Sequence, residues 1–132
     1  MVLPVPQGYV FNRTRQCYLA ADLHLAATHW SRFRGLMGRD AGDFGAGKAL
    51  WIVPCHGVHT LAMRFPIDVL YLDRNQVVVH LEQTLKPWRV AAVRRAAASV
   101  LELPDGTLRY TGTVVGDVLD IATEEAIKAA AV

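Results

Sequence analysis

A pair of apolar segments around a short polar turn is the feature that most constrains the fold. Residues 67–72 (IDVLYL) follow Pro66 and are rich in β-branched and aromatic side chains, which is typical of a strand. The polar residues 73–75 interrupt this run, and residues 76–81 (QVVVHL) resume it. The pattern predicts a β-hairpin, and therefore a fold that contains an antiparallel sheet.

Shorter segments of the same kind recur along the chain. Strands are predicted over residues 16–25, 49–53, 58–63, 99–103, 107–115 and 118–121. Residues 38–48 contain four glycines but no phosphate-binding pattern, and they are predicted to form a loop. Short strands separated by frequent turns predict an α+β, mainly β fold: a compact, curled antiparallel or mixed sheet that approaches a small barrel.

Helical patterns are fewer. An early short helix is predicted to begin after Asp22 or Thr28 and to end at Met37. The alanine-rich residues 90–98 are compatible with a helix, and residues 122–131 predict a C-terminal helix capped by Thr123.

Length and composition predict a single domain over residues 1–132. The chain is 52% hydrophobic and 20% charged, which is enough apolar material for one core and excludes a disordered tail. Residues 1–15 are predicted to form an extended arm, residues 16–121 the core, and residues 122–132 a terminal helix or tail.

The two cysteines and the N-terminal residues bear on the compartment. Cys17 and Cys55 are expected to be free thiols, because the chain lacks the cysteine density of a disulfide scaffold. Pro4 and Pro6 interrupt the N-terminal residues, which do not read as a signal peptide, and no apolar run is long enough for a membrane span. A cytoplasmic location is expected, although an exported protein produced without its signal peptide would have the same sequence features.

One short segment concentrates a thiol and two imidazoles. Cys55, His56 and His59 are residue types that bind zinc or form an activated Cys–His pair. On a straight strand Cys55 and His59 would lie about 13 Å apart, so a turn at Gly57 is needed to bring them together. No further ligand pair stands at a familiar spacing. A structural role is therefore expected for these residues, and neither a metal nor another cofactor is predicted.

Asp68 lies inside the apolar strand of the hairpin. A buried carboxylate must find a partner or become protonated. It is expected to form a structural ion pair, to cap backbone groups, or to anchor a ligand in a cleft. The candidate partners are the side chains of Arg32, Arg34, Arg39, Arg64, His59 and Thr60.

Basic residues raise the question of a nucleic-acid partner. Trp88 with Arg89, Arg94 and Arg95 has the chemistry to contact phosphate and stack a base. The formal charge, however, is only +2 overall, with +4 in residues 1–66 and −2 in residues 67–132. A solvated surface and no nucleic-acid partner are expected.

Several ordered blocks resemble a known family. Residues 32–39 (RFRGLMGR) resemble its R-x-x-G-L-M-x-R segment, and residues 59–68 resemble a branch with HT-x-x-M-x-x-x-I-D. Residues 101–106 and Gly116-Asp117 resemble its closing segments, so the match covers about residues 17–121. The chain is similar to the domain of unknown function 192 family, another branch of which carries Trp-Met-Lys-Asn-Thr at the HT position.

The resemblance implies a compact β-rich fold in a mostly bacterial and archaeal family without an established activity. It also suggests that one set of residues forms a cluster: Arg32, Arg39, His59, Thr60, Met63, Asp68 and Glu102. Residues 35–37 read as core packing with a close backbone approach.

Three functions are compatible with these features. The first is a small binding module with a charged pocket around Asp68, for a small polar or anionic ligand or a peptide end. Its expected ligand-binding residues are Arg32, Arg39, His59, Thr60, Met63 and Asp68. The second is a hydrolase that depends on Cys55 and His59, with or without a metal. The third is a protein-interaction module that uses exposed aromatic residues such as Trp51 and Trp88.

Overall fold

The computed structural model describes residues 8–28 and 34–130, and its dominant element is a seven-stranded sheet. The strands are β1 (Gly8–Asn12), β2 (Cys17–Ala26), β3 (Lys48–Ile52), β4 (Ile67–Leu72), β5 (Val78–Leu85), β6 (Ser99–Pro104) and β7 (Leu119–Ala122). The predicted hairpin is confirmed as the antiparallel pair β4–β5, although β5 extends four residues beyond the predicted end.

The sheet is mixed and curled. Its strand order is β5-β4-β6-β3-β2-β1-β7, and within it only β2 and β3 run parallel. The two outer strands approach each other, because Val77 forms a β-bridge with Val118 just before β5 and β7 begin. The expected mainly β fold that approaches a barrel is thus confirmed.

Helices are short. A 3-10 turn covers Ala41–Phe44, α1 covers Thr107–Thr111, and α2 covers Glu124–Ala130. The Thr123 hydroxyl accepts a hydrogen bond from the Ala126 amide at 3.2 Å, as expected of the cap of α2. In the part of the chain that the structure describes, no helix has the length and apolar character needed to cross a membrane.

Apolar side chains pack on both faces of the sheet. Every residue of β4 is buried, and alternate residues belong to different core clusters. Ile67, Val69 and Tyr71 join the first cluster, whereas Leu70 and Leu72 join the second. This two-sided burial follows from the alternation of side chains along a strand, and it explains the continuous apolar run in the sequence.

Two local predictions were wrong, and a third segment does not form the helix with which its composition is compatible. Residues 107–115 were expected to be a strand but contain α1, which begins where the Leu108 amide donates to the Asp68 carboxylate. Residues 90–98 form no helix, because backbone bonds attach them to residues 56–58. Residues 58–63 form a single β-bridge and a turn instead of a strand.

The N-terminal segment differs from expectation, and part of the expected early helix is not described by the structure. Residues 8–12 of the expected arm form β1, which pairs with β2 and β7. Residues 29–33 of the expected early helix lie outside the described residues.

Candidate functional site

A small cavity lies where the segment after residue 33, the turn around Gly57 and strand β6 meet. Its volume is about 40 Å³, enough for a water molecule or a very small chemical group. Most of its wall is apolar, with a few polar or ionisable side chains. The lining residues are Arg34, Gly35, Leu36, Met37, Ile52, Cys55, Gly57, Val58, His59, Met63 and Glu102.

Glu102 is the buried acid of this cavity. Its side chain is 2% exposed, and among the described residues its Oε2 atom has no hydrogen-bond partner. Burial raises the pKa of Glu102 to about 8, because the apolar surroundings penalise the charged form. The carboxyl group is therefore mostly protonated at neutral pH, and one of its oxygens has no hydrogen-bond partner within residues 8–28 and 34–130.

Gly35 brings the backbone close to this carboxyl group. It has a φ of +46°, a left-handed conformation that glycine adopts without a steric penalty. A Cβ atom at this position would lie 3.8 Å from Glu102 Oε2 and 3.9 Å from Oε1. The absence of a side chain therefore keeps the space beside the acid open.

Asp68 is also buried, but both of its carboxylate oxygens bind the backbone. Oδ1 accepts a hydrogen bond from the Thr84 amide at 2.9 Å, and Oδ2 accepts one from the Leu108 amide at 2.8 Å. Thr84 has a φ of +53° in β5, and Leu108 lies in α1. Asp68 thus joins three elements, and it does not line the cavity of Glu102.

Thr60 holds the loop that precedes β6. Its hydroxyl donates to the Lys86 carbonyl at 2.6 Å and accepts from the Arg89 amide at 2.9 Å. Its backbone amide donates to the Arg89 carbonyl at 2.7 Å, and its carbonyl accepts from the Trp88 amide at 2.8 Å. Thr60 is fully buried. These contacts indicate that Thr60 holds the loop of Lys86, Trp88 and Arg89 in place.

Cys55 and His59 share the wall of the cavity, whereas His56 does not line it. The Cys55 thiol donates to the Gly57 carbonyl at 2.8 Å, and the His59 Nδ1 atom accepts from the Leu61 amide at 3.2 Å. His56 Nδ1 lies 2.6 Å from the Ala97 carbonyl. Cys17 and Cys55 form no disulfide.

No metal-binding group of three or more His, Cys, Asp or Glu side chains occurs within residues 8–28 and 34–130. His59 and Cys55 nevertheless face a common space with Glu102.

The set of residues suggested by the resemblance is therefore divided. His59, Met63 and Glu102 line the cavity, while Asp68 and Thr60 bind backbone groups elsewhere. Arg39 is exposed and does not line the cavity. Arg32 lies outside the described residues.

Glu102 was not among the expected ligand-binding residues, although the resemblance placed it in the cluster. The sequence does carry a signal for it: an acidic residue inside an apolar strand, the same signal that drew attention to Asp68.

A larger groove of about 460 Å³ lies beside α1 and was not expected from the sequence. Tyr18 and Tyr110 are its most exposed large side chains. Its wall is otherwise mostly apolar or small, with Asp105 and two threonines as the further polar residues, and it contains no buried polar side-chain atom that lacks a partner. The cavity at Glu102 is consequently the better candidate for a specific site.

Two solved structures are similar to this chain in fold. A protein of unknown function from Novosphingobium aromaticivorans DSM 12444 superposes with a TM-score of 0.72 at 19% identity, covering 91% of each chain. A chain from Sinorhizobium meliloti 1021, described as a candidate transcription regulator, also has a TM-score of 0.72, at 20% identity over 91% of this chain and 98% of its own. At these identities the likeness concerns the fold alone.

Sequence relatives are uncharacterised archaeal proteins of the UPF0127 group. One from Pyrococcus furiosus is 32% identical over 116 residues, covering 84% of this chain and 96% of its own length. One from Thermococcus sibiricus is 29% identical over 121 residues, covering 88% and 76%. The profile of the family named DUF192, described as "Uncharacterized ACR", matches residues 10–121. The chain belongs to the DUF192 family.

Proposed function

We propose that this protein is a small ligand-binding module whose binding site is the cavity at Glu102. The observation that carries the proposal is the buried Oε2 atom of Glu102, which has no partner among the described residues and borders an open space. A buried polar group without a partner is costly, and a bound ligand that supplies the missing hydrogen bond would offset that cost.

The chemistry of the cavity favours a ligand that donates a hydrogen bond. An amide group both donates to and accepts from a protonated carboxyl, and an ammonium group donates to it, whereas a carboxylate ligand can only accept the proton of Glu102 and offers no donor to its unsatisfied oxygen. The volume of about 40 Å³ admits only the end of a ligand. We therefore narrow the expected polar or anionic ligand to a polar one, such as the amino end of a peptide or a small amine.

Thermal unfolding in the presence of methylammonium, acetamide and acetate tests this proposal. A ligand that binds only the folded protein raises the midpoint of unfolding. We expect methylammonium or acetamide to raise it in the unmodified protein and not in Glu102→Leu, which removes both carboxyl oxygens. Glu82→Leu, which removes a half-buried carboxylate from β5, is the matched control and should retain the shift. A shift by acetate alone, or by none of the three probes, would contradict the proposal.

The Cys/His-dependent hydrolase remains a second proposal because Cys55 and His59 line the same cavity. An imidazole next to a thiol can generate the thiolate that attacks a carbonyl carbon. The test is hydrolysis of an activated ester by the unmodified protein, Cys55→Ser and His59→Ala, with Cys17→Ser as the control. Equal rates in the unmodified protein and Cys55→Ser would exclude this function.

We place the module in the cytoplasm because Cys17 and Cys55 form no disulfide, as is typical of proteins in reducing compartments. Cell fractionation with an antibody against the protein tests this, and recovery in the secreted fraction would contradict it, whereas recovery with membranes would not.

A further inference from the structure

Apolar side chains are exposed on the loop between β5 and β6 and on the segment beside it. Trp88 is 63% exposed, Val90 74% and Val93 68%, and Leu61 on the neighbouring segment is also exposed. A group of large apolar side chains in contact with water indicates an interaction surface when it is confined to one region. We call residues 86–95 the basic loop.

The same loop is positively charged without compensation. It contains Lys86, Arg89, Arg94 and Arg95, and none of these forms an ion pair with a residue that the structure describes. Residues 86–98 contain no acidic side chain, and neither does the adjacent segment 54–66. The local charge is thus positive, whereas the net charge of residues 67–132 is negative. A net charge summed over half the chain therefore does not reveal this positive segment.

Backbone bonds hold the basic loop in this exposed position. The Trp88 amide donates to the Thr60 carbonyl at 2.8 Å, the Ala91 amide to the Val58 carbonyl at 2.9 Å, and the Arg94 amide to the His56 carbonyl at 2.8 Å. The hydroxyl of Tyr71 donates to the Ala92 carbonyl at 3.0 Å. The loop is therefore fixed to the body of the protein, and its apolar side chains cannot be buried by a simple rearrangement of a free segment.

We propose that the basic loop docks the protein on the surface of an anionic lipid bilayer. Anionic headgroups complement the four cationic side chains, and the interfacial region of the bilayer accepts the tryptophan ring and the valine side chains. This role is independent of the ligand cavity at Glu102, and it requires no helix that spans the membrane.

The aliphatic residues favour a bilayer over a nucleic acid. Single-stranded nucleic acids are bound through bases stacked on aromatic rings, and Trp88 is the single aromatic residue of the loop. Val90 and Val93 offer nothing to stack on, but they gain from transfer into the acyl-chain boundary.

Sedimentation with lipid vesicles is the test. We expect the protein to bind vesicles that mix phosphatidylcholine with phosphatidylglycerol, to bind vesicles of phosphatidylcholine alone much more weakly, and to be released by salt. Each cation contributes roughly a fivefold change in partitioning near an anionic surface, so the double variant Arg94→Glu/Arg95→Glu should bind at least about 25-fold more weakly. Arg109→Glu, an exposed cation in α1, is the matched control and should bind normally.

A second set of variants separates a bilayer from a soluble polyanion. Val90→Ser/Val93→Ser should weaken binding to anionic vesicles and leave the protein folded. Tyr110→Ser changes an exposed residue of α1 and should leave vesicle binding unchanged. The fluorescence of the protein should shift to the blue on anionic vesicles, and Trp88→Phe should remove that shift.

Three results would overturn the inference. The first is no binding to anionic vesicles, and the second is a dimer in solution that buries Trp88. The third is binding to heparin or single-stranded DNA as tight as binding to vesicles, together with unchanged vesicle binding by Val90→Ser/Val93→Ser.

Discussion

Asp68 and Glu102 are buried carboxyl groups on the adjacent strands β4 and β6, yet they lie on opposite faces of the sheet. Glu102 is in register with Val69, so its side chain shares a face with Val69, while Asp68 precedes Val69 and faces the other way. Asp68 binds two backbone amides, and Glu102 borders a cavity. One acid stabilises the fold, and the other is the candidate ligand-binding residue.

The buried state of Glu102 predicts a stability that falls as the pH rises. The unfolded chain releases the Glu102 proton near the ordinary pKa of glutamate, while the folded protein keeps it up to about pH 8. Between these values the folded state binds more protons, so raising the pH favours unfolding by roughly 1 kcal/mol per pH unit. Urea unfolding from about pH 5 to about pH 8 measures this loss.

Glu102→Gln supplies the comparison for that measurement, because an amide of similar shape has no proton to release. We expect the free energy of unfolding of this variant to depend less on pH, and to exceed that of the unmodified protein at about pH 8. Parallel pH profiles for the two proteins would show that Glu102 ionises normally in the folded state.

Replacement of Asp68 by asparagine should destabilise the protein without affecting ligand binding. The amide retains one acceptor but places an NH₂ group against the amide of Thr84 or Leu108, which costs about 1–3 kcal/mol in the free energy of unfolding. Asp105→Asn, an exposed neighbour that accepts from the Thr84 hydroxyl, should change little. Loss of the methylammonium or acetamide shift in a folded Asp68→Asn protein would instead return Asp68 to the binding site.

Thr60→Val should loosen the basic loop. The substitution keeps the branched shape but removes the hydroxyl that binds the Lys86 carbonyl and the Arg89 amide, at an expected cost of about 1–3 kcal/mol. Hydrogen exchange at the Trp88 and Arg89 amides should accelerate more than exchange in β6. Thr60→Ser retains the hydroxyl and should preserve slow exchange; unchanged exchange in Thr60→Val would mean that the backbone bonds alone fix the loop.

Asp117 contributes stability that should be lost in acid. Burial alone raises the pKa of Asp117, but hydrogen bonds from Asn12, Val114 and Arg15 outweigh burial, so its pKa lies below the usual value. The charged form is favoured in the folded protein, and its contribution falls as the pH drops through this lowered pKa.

Asp117→Asn measures that contribution. We expect a loss of about 1–3 kcal/mol at neutral pH, and a smaller difference from the unmodified protein in acid. Asp120→Asn, which removes an exposed partner of Arg13, is the control with a smaller expected effect. An Asp117→Asn deficit that does not change with pH would assign the effect to packing.

Local sequence was sufficient for the hairpin and for the C-terminal cap. Residues 67–72 carry their strand signal within six positions, and Thr123 lies directly before α2. It was insufficient for residues 107–115, whose β-branched residues favour a strand in isolation. There the carboxylate of Asp68, forty positions earlier in the chain, accepts the Leu108 amide at the start of a helix. A contact of that sequence separation cannot be found from local propensity.

The sequence by itself determined that strands would dominate, that two acids would interrupt apolar strands, and that cations would cluster near Trp88. The tertiary structure alone decided which acid has partners for both of its oxygens among the residues that the structure describes. Both β4 and β6 are buried on both faces, so their apolar pattern does not distinguish one face from the other. The position of Gly35 beside Glu102, and of two backbone amides beside Asp68, depends on how distant segments pack, and that packing makes Glu102 the candidate binding residue.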